Sequence, residues 1–422
     1  MRGAGSCGLL RMFRAWLCVS VILVWCGGPL AAATSLGNPN DSNRRNRPIS
    51  SQQLPSVVIG TPHVLAEGPG VNAASPITCL ASGEVVAAVD HPATGGKTAE
   101  SYVMISSDVG KTWRKQAMPW NGAVKMQLRD GAIFVTTGWA QSPAQEQGVC
   151  TYPVLRGKDT WESLRPETIT VRSPAIVQLG DNLKPIQGLI LWNRVVEMPS
   201  GDLLLTAYGN FKGDDVPLEV SYEALRPTLY PYPGMTKTRA VLLKSADQGH
   251  TWDYVTTISD DPSSGDEGPC EPSLTRTNDG DLVCVMRTGR VNALRLSRSS
   301  DGGKTWTPLK VIPRAIGVAP FLITMRDGTL ACAYGMKEDY WKGEHRRELH
   351  IMFSFDQGRT WPLNEIVYAG EASSYPSICE ARPGELLLAF DPVDLRYSGA
   401  PLMSFAAITR VRLKPAPVYR WP

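Results

Sequence analysis

The sequence has almost no net charge. It contains 43 Lys and Arg against 40 Asp and Glu, and three of the arginines, Arg2, Arg11 and Arg14, lie within the first 33 residues. Beyond that segment the two signs balance at 40 each. A basic surface of the kind that attracts nucleic acid or an anionic membrane is therefore not indicated, and we expect neither as a partner.

The sequence also lacks a stretch that fits a membrane-spanning helix. The longest apolar run, from Ala15 to Val24 and on towards Leu30, follows the basic residues and precedes Ala31-Ala32-Ala33. This is the pattern of a signal peptide, and the run is too short and wrongly flanked to span a bilayer. We therefore predict a signal peptide over residues 1–33, a flexible leader over 34–55 and a single domain over 56–422. The mature protein is expected to be secreted or periplasmic, with no integral membrane segment.

No Cys/His cluster has the spacing of a zinc site, so we expect neither a metal nor a cofactor. Three of the nine cysteines lie in the predicted signal peptide. The other six allow fifteen disulfide pairings, but several lie in apolar strand-like runs, where a buried thiol acts as a small hydrophobe. Buried free thiols are therefore the favoured interpretation, and disulfides are the alternative. The six are Cys79, Cys150, Cys270, Cys284, Cys332 and Cys379.

One eight-residue pattern, Ser-x-Asp-x-Gly-x-Thr-Trp, occurs four times and is called here the Asp box. Its Asp can accept bonds from backbone N–H groups, its Gly can adopt a positive φ, and its Trp has a large area to bury, so we expect a structural hairpin. The last three copies start 54 and 55 residues apart, the length of a four-stranded propeller blade. The boxes run from Ser106 to Trp113, Ser245 to Trp252, Ser299 to Trp306 and Ser354 to Trp361.

A second repeat, a short turn ending in Gly and followed by an apolar strand, occurs six times and predicts six blades. The fold class is therefore all-β, a six-bladed β-propeller with Asp-box hairpins, in which a strand near Val57–Ile59 completes the last blade. The innermost strand of each blade should start nine residues before its glycine, and these starts should converge on one mouth of the channel. The turn glycines are Gly83, Gly131, Gly201, Gly280, Gly328 and Gly384, and the positions nine residues earlier are Ala74, Gly122, Trp192, Glu271, Ala319 and Tyr375.

These features resemble the sialidase (neuraminidase) superfamily, whose members carry Asp-box (BNR) repeats, over residues 70 to about 412. The resemblance implies that Tyr375 is the nucleophilic tyrosine and Glu271 the glutamate beside it. A phenol with a pKa of about 10 is a poor nucleophile unless a neighbouring carboxylate takes its proton, which gives a chemical reason for the pair. The alternatives are structural: a Tyr that caps a strand end and a Glu that pairs with a nearby Arg.

The resemblance also implies arginines that grip a substrate carboxylate, because a planar guanidinium meets two carboxylate oxygens at once. Arg287 and Arg346 match these positions, and the nearby Arg290 and Arg347 could replace them in these roles. Trp192 and Arg194, on the third blade, complete the predicted substrate-binding set.

Two positions depart from the family pattern. Where the family has its first arginine, this chain has Ala74, and where the family has its acid/base aspartate, it has Gly95. Asp90 and Glu100 flank the second position and are the acid/base candidates. Asp214 or Asp215, in an insertion over residues 209–238 that could wall the site, is a more distant candidate.

The predicted function is a secreted exo-glycoside hydrolase that acts on a terminal sugar of glycans with retention of configuration. The sugar is expected to be acidic, although the departures at Ala74 and Gly95 argue against sialic acid itself and keep another acidic or a neutral sugar open. The alternative is a non-catalytic glycan-binding propeller, which needs no acid/base residue.

Overall fold

A computed structural model describes residues 54–69, 77–91, 100–118, 123–136, 148–175, 178–179, 185–186, 188–219, 236–289, 292–337, 347–369, 375–391 and 403–414. The chain divides into two compact units, residues 1–49 and 50–422. The predicted signal peptide and almost all of the predicted leader lie outside the described residues, which belong to the second unit. No helix in the described ranges is long and apolar enough to cross a membrane.

The described residues form strands, with helix confined in these ranges to two 3-10 turns, Trp161–Ser163 and Pro262–Ser264. An all-β fold is therefore confirmed. The strands are β1 (Ser56–Ile59), β2 (His63–Pro69), β3 (Ile77–Cys79), β4 (Val85–His91), β5 (Glu100–Ser106), β6 (Arg114–Ala117), β7 (Ala123–Gln127), β8 (Ala132–Thr136), β9 (Val149–Lys158), β10 (Arg165–Arg172), β11 (Gln178–Leu179), β12 (Pro185–Ile186), β13 (Ile190–Glu197), β14 (Leu203–Gly209), β15 (Arg239–Ser245), β16 (Thr251–Ser259), β17 (Cys270–Arg276), β18 (Leu282–Arg287), β19 (Ala293–Ser299), β20 (Lys310–Ile316), β21 (Val318–Thr324), β22 (Leu330–Lys337), β23 (Arg347–Ser354), β24 (Leu363–Ala369), β25 (Ser377–Arg382), β26 (Glu385–Phe390) and β27 (Met403–Lys414).

The strands are arranged as a propeller. Within the described ranges they form six antiparallel groups: β3–β6, β7–β10, β13–β16, β17–β20, β21–β24, and β25–β27 with β1 and β2. The first strand of each group contacts the first strand of the next, and β25 contacts β3, so the inner strands close a ring. Between each pair of neighbouring groups lies an apolar cluster of buried side chains. The core is therefore spread around the ring between the blades.

The last group joins the two ends of the described chain. β27 pairs on one edge with β26 and on the other with both β1 and β2, with Ser56 opposite Lys414 and His63 opposite Ile408. The predicted closing strand near Val57–Ile59 is therefore confirmed. Each inner strand remains the edge of its sheet but faces the channel, so these edges are short and shielded from pairing with another chain.

The described cysteines include both a disulfide and buried free thiols, the two alternatives that the sequence allows. Cys79 and Cys379 form a disulfide between β3 and β25, the inner strands of the first and last groups, across 300 residues of chain. The disulfide therefore spans the place where the ring closes. The other described cysteines are free and buried: Cys150, Cys270, Cys284 and Cys332.

Each Asp box connects the third strand of its group to the fourth. In all four boxes the Ser Oγ donates to the Asp Oδ1 at 2.7–2.8 Å, and the Gly N–H donates to the Ser Oγ at 2.7–2.8 Å. The Thr N–H donates to the same Asp Oδ1 at 2.8–3.0 Å. The box glycines have φ between 74° and 93°. The predicted turn chemistry is confirmed.

The box tryptophans are not equally buried, although the sequence predicts burial for each. Trp252 is fully buried, whereas Trp113, Trp306 and Trp361 are half-buried. The reason lies in the sheets: β10 of the preceding group pairs parallel with β16, placing Val171 opposite Trp252. The other boxes have no such neighbouring strand within the described residues. The prediction of a buried tryptophan is therefore wrong for Trp306.

Candidate active site

Tyr375 and Glu271 meet at the mouth of the channel where the inner strands begin. Glu271 is the second residue of β17, and Tyr375 lies two residues before β25. Arg287 ends β18, the strand that returns beside β17, so it lies at the same mouth. The Tyr375 hydroxyl donates a hydrogen bond to Glu271 Oε1 at 3.2 Å. Residues 104 apart in sequence are thus brought within reach of proton transfer.

Glu271 is buried and held by donors on both carboxylate oxygens. Oε1 accepts from Arg287 Nη1 at 2.9 Å as well as from Tyr375, and Oε2 accepts from the backbone N–H of Ala319 at 2.8 Å. These donors come from the second strand of its own group and from the next two groups of the ring. The orientation of the carboxylate is therefore fixed before any ligand binds.

The backbone at this mouth has an unusual conformation. Glu271 and Ala319 have φ of 47° and 48°, and Asn193 has φ of 56°. Each lies at a β-bulge near the start of its inner strand. Bulges re-aim side chains, and non-glycine residues with positive φ concentrate at functional sites. Pro272 and Pro320 follow Glu271 and Ala319. Because proline has no backbone N–H, it is tolerated at a bulge, where a hydrogen bond between the strands is already missing.

Both terminal nitrogens of Arg287 contact carboxylates, whereas its Nε is buried without a partner among the described residues. Nη2 lies 2.5 Å from Glu267 Oε2, and Nη1 bonds Glu271. Burial alone would lower the pKa of Arg287, but Glu267 and Glu271 outweigh it and raise the pKa well above its usual value. Both outer nitrogens are therefore occupied in this arrangement, and a grip of Arg287 on a substrate carboxylate stays a prediction. The three charged groups sum to one negative charge.

Aromatic side chains form one wall beside the pair. Trp192 packs edge-on against Tyr375 and Tyr208, with ring centroids 6.1 and 5.7 Å apart. Burial and the nearby Glu271 raise the pKa of Tyr208 well above its usual value, so its hydroxyl stays protonated. The buried Trp192 Nε1 has no hydrogen-bond partner among the described residues. Such surfaces, apolar with a few polar donors, are typical of ligand sites.

The remaining predicted site residues are placed less completely. Arg194 lies on β13 but faces a cavity at the far end of the channel, away from Glu271. The backbones of Asp90 and Glu100 occupy the adjoining ends of β4 and β5, where His91 pairs with Glu100. The side chains of Asp90 and Glu100 lie outside the description, as do Arg290, Arg346, Ala74 and Gly95.

Asp214 is occupied by an ion pair with Arg239. It makes a two-point ion pair with Arg239, through Arg239 Nε at 2.7 Å and Nη2, and it accepts the N–H of Phe211. Arg239 also stacks over the Phe211 ring. These contacts organise the start of the insertion, so Asp214 is not a free acid/base group.

Glu267 and Tyr208 lie at the site but are not among the residues that the sequence predicts there. A signal for Tyr208 exists, because it lies seven residues after its turn glycine, as Arg287 does in the next group. The same register gives Asp90 in the first group and the buried Asp391 in the last. Glu267 belongs to the loop before β17, where no repeat register applies.

Within the described part of the chain, no group of three or more His, Cys, Asp and Glu could hold a metal.

Comparisons with known proteins agree with this architecture. A family model described as a BNR repeat-like domain matches residues 120–388. A Dyadobacter fermentans protein of unknown function is 18% identical, with 86% of this chain and 100% of that chain covered and a TM-score of 0.60. The Hadza microbial sialidase Hz136 is 17% identical, with 82% and 66% covered and a TM-score of 0.53. The α-L-arabinofuranosidase Arb93A from Fusarium graminearum is 11% identical, with 86% and 98% covered and a TM-score of 0.52.

Identities this low establish the fold alone, and no curated protein matches the chain. The family match covers well over half of the sequence and includes Glu271, Arg287 and Tyr375. The predicted resemblance to the sialidase superfamily and its repeats is confirmed. The chain belongs to the family of BNR repeat-like domains, and its fold is similar to that of a sialidase propeller.

Proposed function

We propose that this protein is a retaining glycoside hydrolase that removes a terminal sugar, with Tyr375 as nucleophile and Glu271 as its base. The observation that carries the proposal is the 3.2 Å hydrogen bond from the Tyr375 hydroxyl to Glu271 Oε1. A phenol attacks efficiently only when its proton has an acceptor, and this carboxylate is already aligned to take it. The fold shared with a sialidase and an arabinofuranosidase supports the reaction class.

In the proposed reaction, Glu271 takes the phenolic proton while the Tyr375 oxygen attacks the anomeric carbon. A carboxylic acid protonates the departing oxygen, and water then releases the sugar from the tyrosine. Two displacements at one carbon retain its configuration. Ala319 N–H and Arg287 hold Glu271 in position throughout.

Asp90 is the favoured acid. Its backbone position, seven residues after a turn glycine, corresponds to those of Tyr208 and Arg287, which both lie at the site. Glu100 begins the adjoining strand and is the second candidate.

The charges around the pair favour a neutral sugar. Arg287 is neutralised by Glu267 and Glu271, and the three groups together carry one negative charge. A sugar carboxylate placed here would meet that charge unless Arg287 exchanged one of its partners, which would leave a buried carboxylate unpaired. Binding of an acidic sugar would therefore require Arg290 and Arg346 to contact its carboxylate.

The test is turnover on matched aryl glycosides that differ only in the sugar: neutral hexosides and pentosides, a uronide and a sialoside. We expect hydrolysis with retention, and a higher kcat/KM for a neutral sugar. Tyr375→Phe should keep the fold and ligand binding but lower kcat by several orders of magnitude, as should Glu271→Gln.

Three outcomes would contradict parts of the proposal. Preference for the sialoside or uronide would overturn the neutral-sugar assignment while leaving the mechanism intact. Wild-type turnover that survives in Tyr375→Phe would overturn the tyrosine mechanism. Saturable glycan binding without turnover on any substrate would instead identify a glycan-binding module, in which Tyr375→Phe changes affinity by only about 0.5–1.5 kcal/mol.

A further inference from the structure

A cavity of about 560 Å³ lies in the channel at the end remote from Tyr375 and Glu271. It is lined by the later residues of the inner strands, whereas the candidate active site uses their first residues. Thr275, for example, lies four residues beyond Glu271 on β17, a distance of roughly 10–13 Å along a strand. All six groups of the ring contribute to it: Leu80, Leu128, Arg194, Thr275, Thr324 and Glu380.

The lining of this far cavity carries an excess of positive charge. It includes four arginines but only two carboxylates, so its formal charge is +2. The arginines are Arg129, Arg194, Arg276 and Arg326, and the carboxylates are Glu197 and Glu380.

Each carboxylate of the far cavity is already taken by a rim arginine from the preceding group. Glu197 pairs with Arg129 at 3.0 Å and also accepts its backbone N–H at 2.9 Å. Glu380 lies 4.0 Å from Arg326 and accepts its backbone N–H at 2.7 Å. Arg129 and Arg326 are themselves about 60% exposed, so water solvates their remaining nitrogens.

Arg194 and Arg276 are left without a counter-charge. Among the described residues, neither side chain makes an ion pair or a hydrogen bond. Both are at least half-buried, and Arg276 Nε is fully buried without a partner. They lie on β13 and β17, which contact each other in the ring. Buried charges in proteins are normally paired, because an uncompensated one loses hydration without gaining a partner.

We propose that the far cavity is a binding site for a small oxyanion held between Arg194 and Arg276. A guanidinium fork offers two parallel N–H donors, so the chemistry that fits is a compact group with several oxygens on one centre, such as a phosphate, a sulfate or a carboxylate. On the same wall the Thr324 hydroxyl donates to the Arg276 carbonyl at 2.8 Å and lies 2.9 Å from the Thr275 hydroxyl, so both protons are used within the wall and the donors left for an anion are the guanidinium groups. The site is separate from the proposed glycosidase site and does not depend on its activity.

The experiment measures the melting temperature of the purified protein against rising inorganic phosphate, with sodium chloride at matched ionic strength as reference. Glucuronate forms a second arm, which distinguishes a sugar acid from an inorganic anion. A ligand that binds only the folded state raises the melting temperature in a saturable way. We expect saturation with at least one of the two anions and none with chloride.

The variants identify the residues. Arg194→Met and Arg276→Met should each weaken the apparent anion affinity at least tenfold, while in chloride they should be as stable as the wild type or more so. Glu197→Gln removes a carboxylate from the lining and should strengthen the affinity. The matched control is Arg172→Met, an exposed arginine on the outer strand β10 that pairs with Asp253 and should leave the affinity unchanged.

Two results would overturn the proposal: no saturable shift beyond the chloride reference for either anion, or a shift that is the same in Arg194→Met and Arg276→Met as in the wild type. If the Met variants do not fold, Glu197→Gln decides the matter. It retains both arginines, and an affinity that is unchanged or weaker in this variant would refute the assignment.

Discussion

Glu271 shows how the ring assembles a site from single residues. Its carboxylate receives donors from Tyr375, Arg287 and the Ala319 backbone, which belong to three neighbouring groups. The contacts from Tyr375 and Ala319 cannot form in an isolated blade, because these two residues belong to other groups than Glu271. The candidate active site therefore requires the closed ring, and disruption of the ring should abolish ligand binding along with any turnover.

At the residue scale, the first prediction concerns the acid. Asp90→Asn should reduce hydrolysis strongly for substrates with a poor leaving group, because the departing oxygen then needs a proton. With a dinitrophenyl leaving group, which departs without help, the loss should be small. The measurement is kcat/KM for both substrate types, with Glu100→Gln as the matched variant. An equal loss on both types would remove Asp90 from this role.

The second residue-scale prediction uses two tryptophans in equivalent boxes. Trp252→Ala should cost about 3–5 kcal/mol of unfolding free energy, because it leaves a cavity in a fully buried site. Trp306→Ala should cost less, about 1–2 kcal/mol, since its side chain is only partly buried against its apolar cluster. Urea unfolding of both variants checks the difference. Equal costs would contradict the explanation from the parallel pair of β10 and β16.

The site could be predicted in part because its main residues occupy repeat registers. Glu271 and Tyr375 stand nine residues before a turn glycine, a spacing that a single sequence reveals. The partners of Arg287 could not be predicted. Glu267 lies in a loop that has no fixed position in the repeat. That Arg287 contacts both Glu267 and Glu271 follows from their distances in the folded protein, which the spacing of residues in the sequence does not predict.

At the element scale, the Asp boxes are predicted to support stability in a pH-dependent way. Hydrogen bonds from Thr305 lower the pKa of Asp301, and backbone and side-chain bonds from Thr112 do the same for Asp108. A carboxyl group whose pKa is lower in the folded state stabilises the protein above its unfolded pKa of about 3.9. That contribution is lost as the pH falls through the folded value.

The test compares the melting temperatures of wild type and Asp301→Asn between pH 7 and pH 2.5. The wild type should be more stable at pH 7, and the difference should shrink below about pH 4, where the carboxyl of the unfolded wild-type chain takes up a proton before that of the folded chain does. Asp215→Asn, at an exposed aspartate outside the boxes, is the matched control for the loss of one carboxylate. A difference that stays constant for Asp301→Asn would mean that its charge does not contribute.

The boxes also show which element features the sequence can predict. Backbone turns follow from local chemistry, so the Ser, Asp, Gly and Thr positions are sufficient to predict the hairpin. Burial of the tryptophan depends on which strand lies outside the box. The parallel pairing of β10 with β16 joins two groups and covers only Trp252, and nothing in the repeat indicates it.

On the scale of the whole molecule, two features close the ring. The strands β1 and β2 pair with β27, and a disulfide links Cys79 to Cys379. The closing strand could be predicted because a propeller with free edges is exposed to wrong pairing. The disulfide could not, since six cysteines allow fifteen pairings and the two partners lie 300 residues apart.

The last prediction is that the disulfide contributes chiefly by restricting the unfolded chain. A link across 300 residues removes a large loop-closure entropy, for which the expected stabilisation is about 3–5 kcal/mol. Replacing Cys79 and Cys379 together by Ser should therefore lower the melting temperature while the folded protein keeps its affinity for glycan at the candidate active site, because β1 and β2 still close the ring. A reducing agent should bring the wild type to the melting temperature of this double variant and leave the variant unchanged. Cys284→Ser, at a buried free thiol on β18, is the control and should retain its response to reductant. A double variant that folds and melts like the wild type would show that strand pairing alone holds the ring closed.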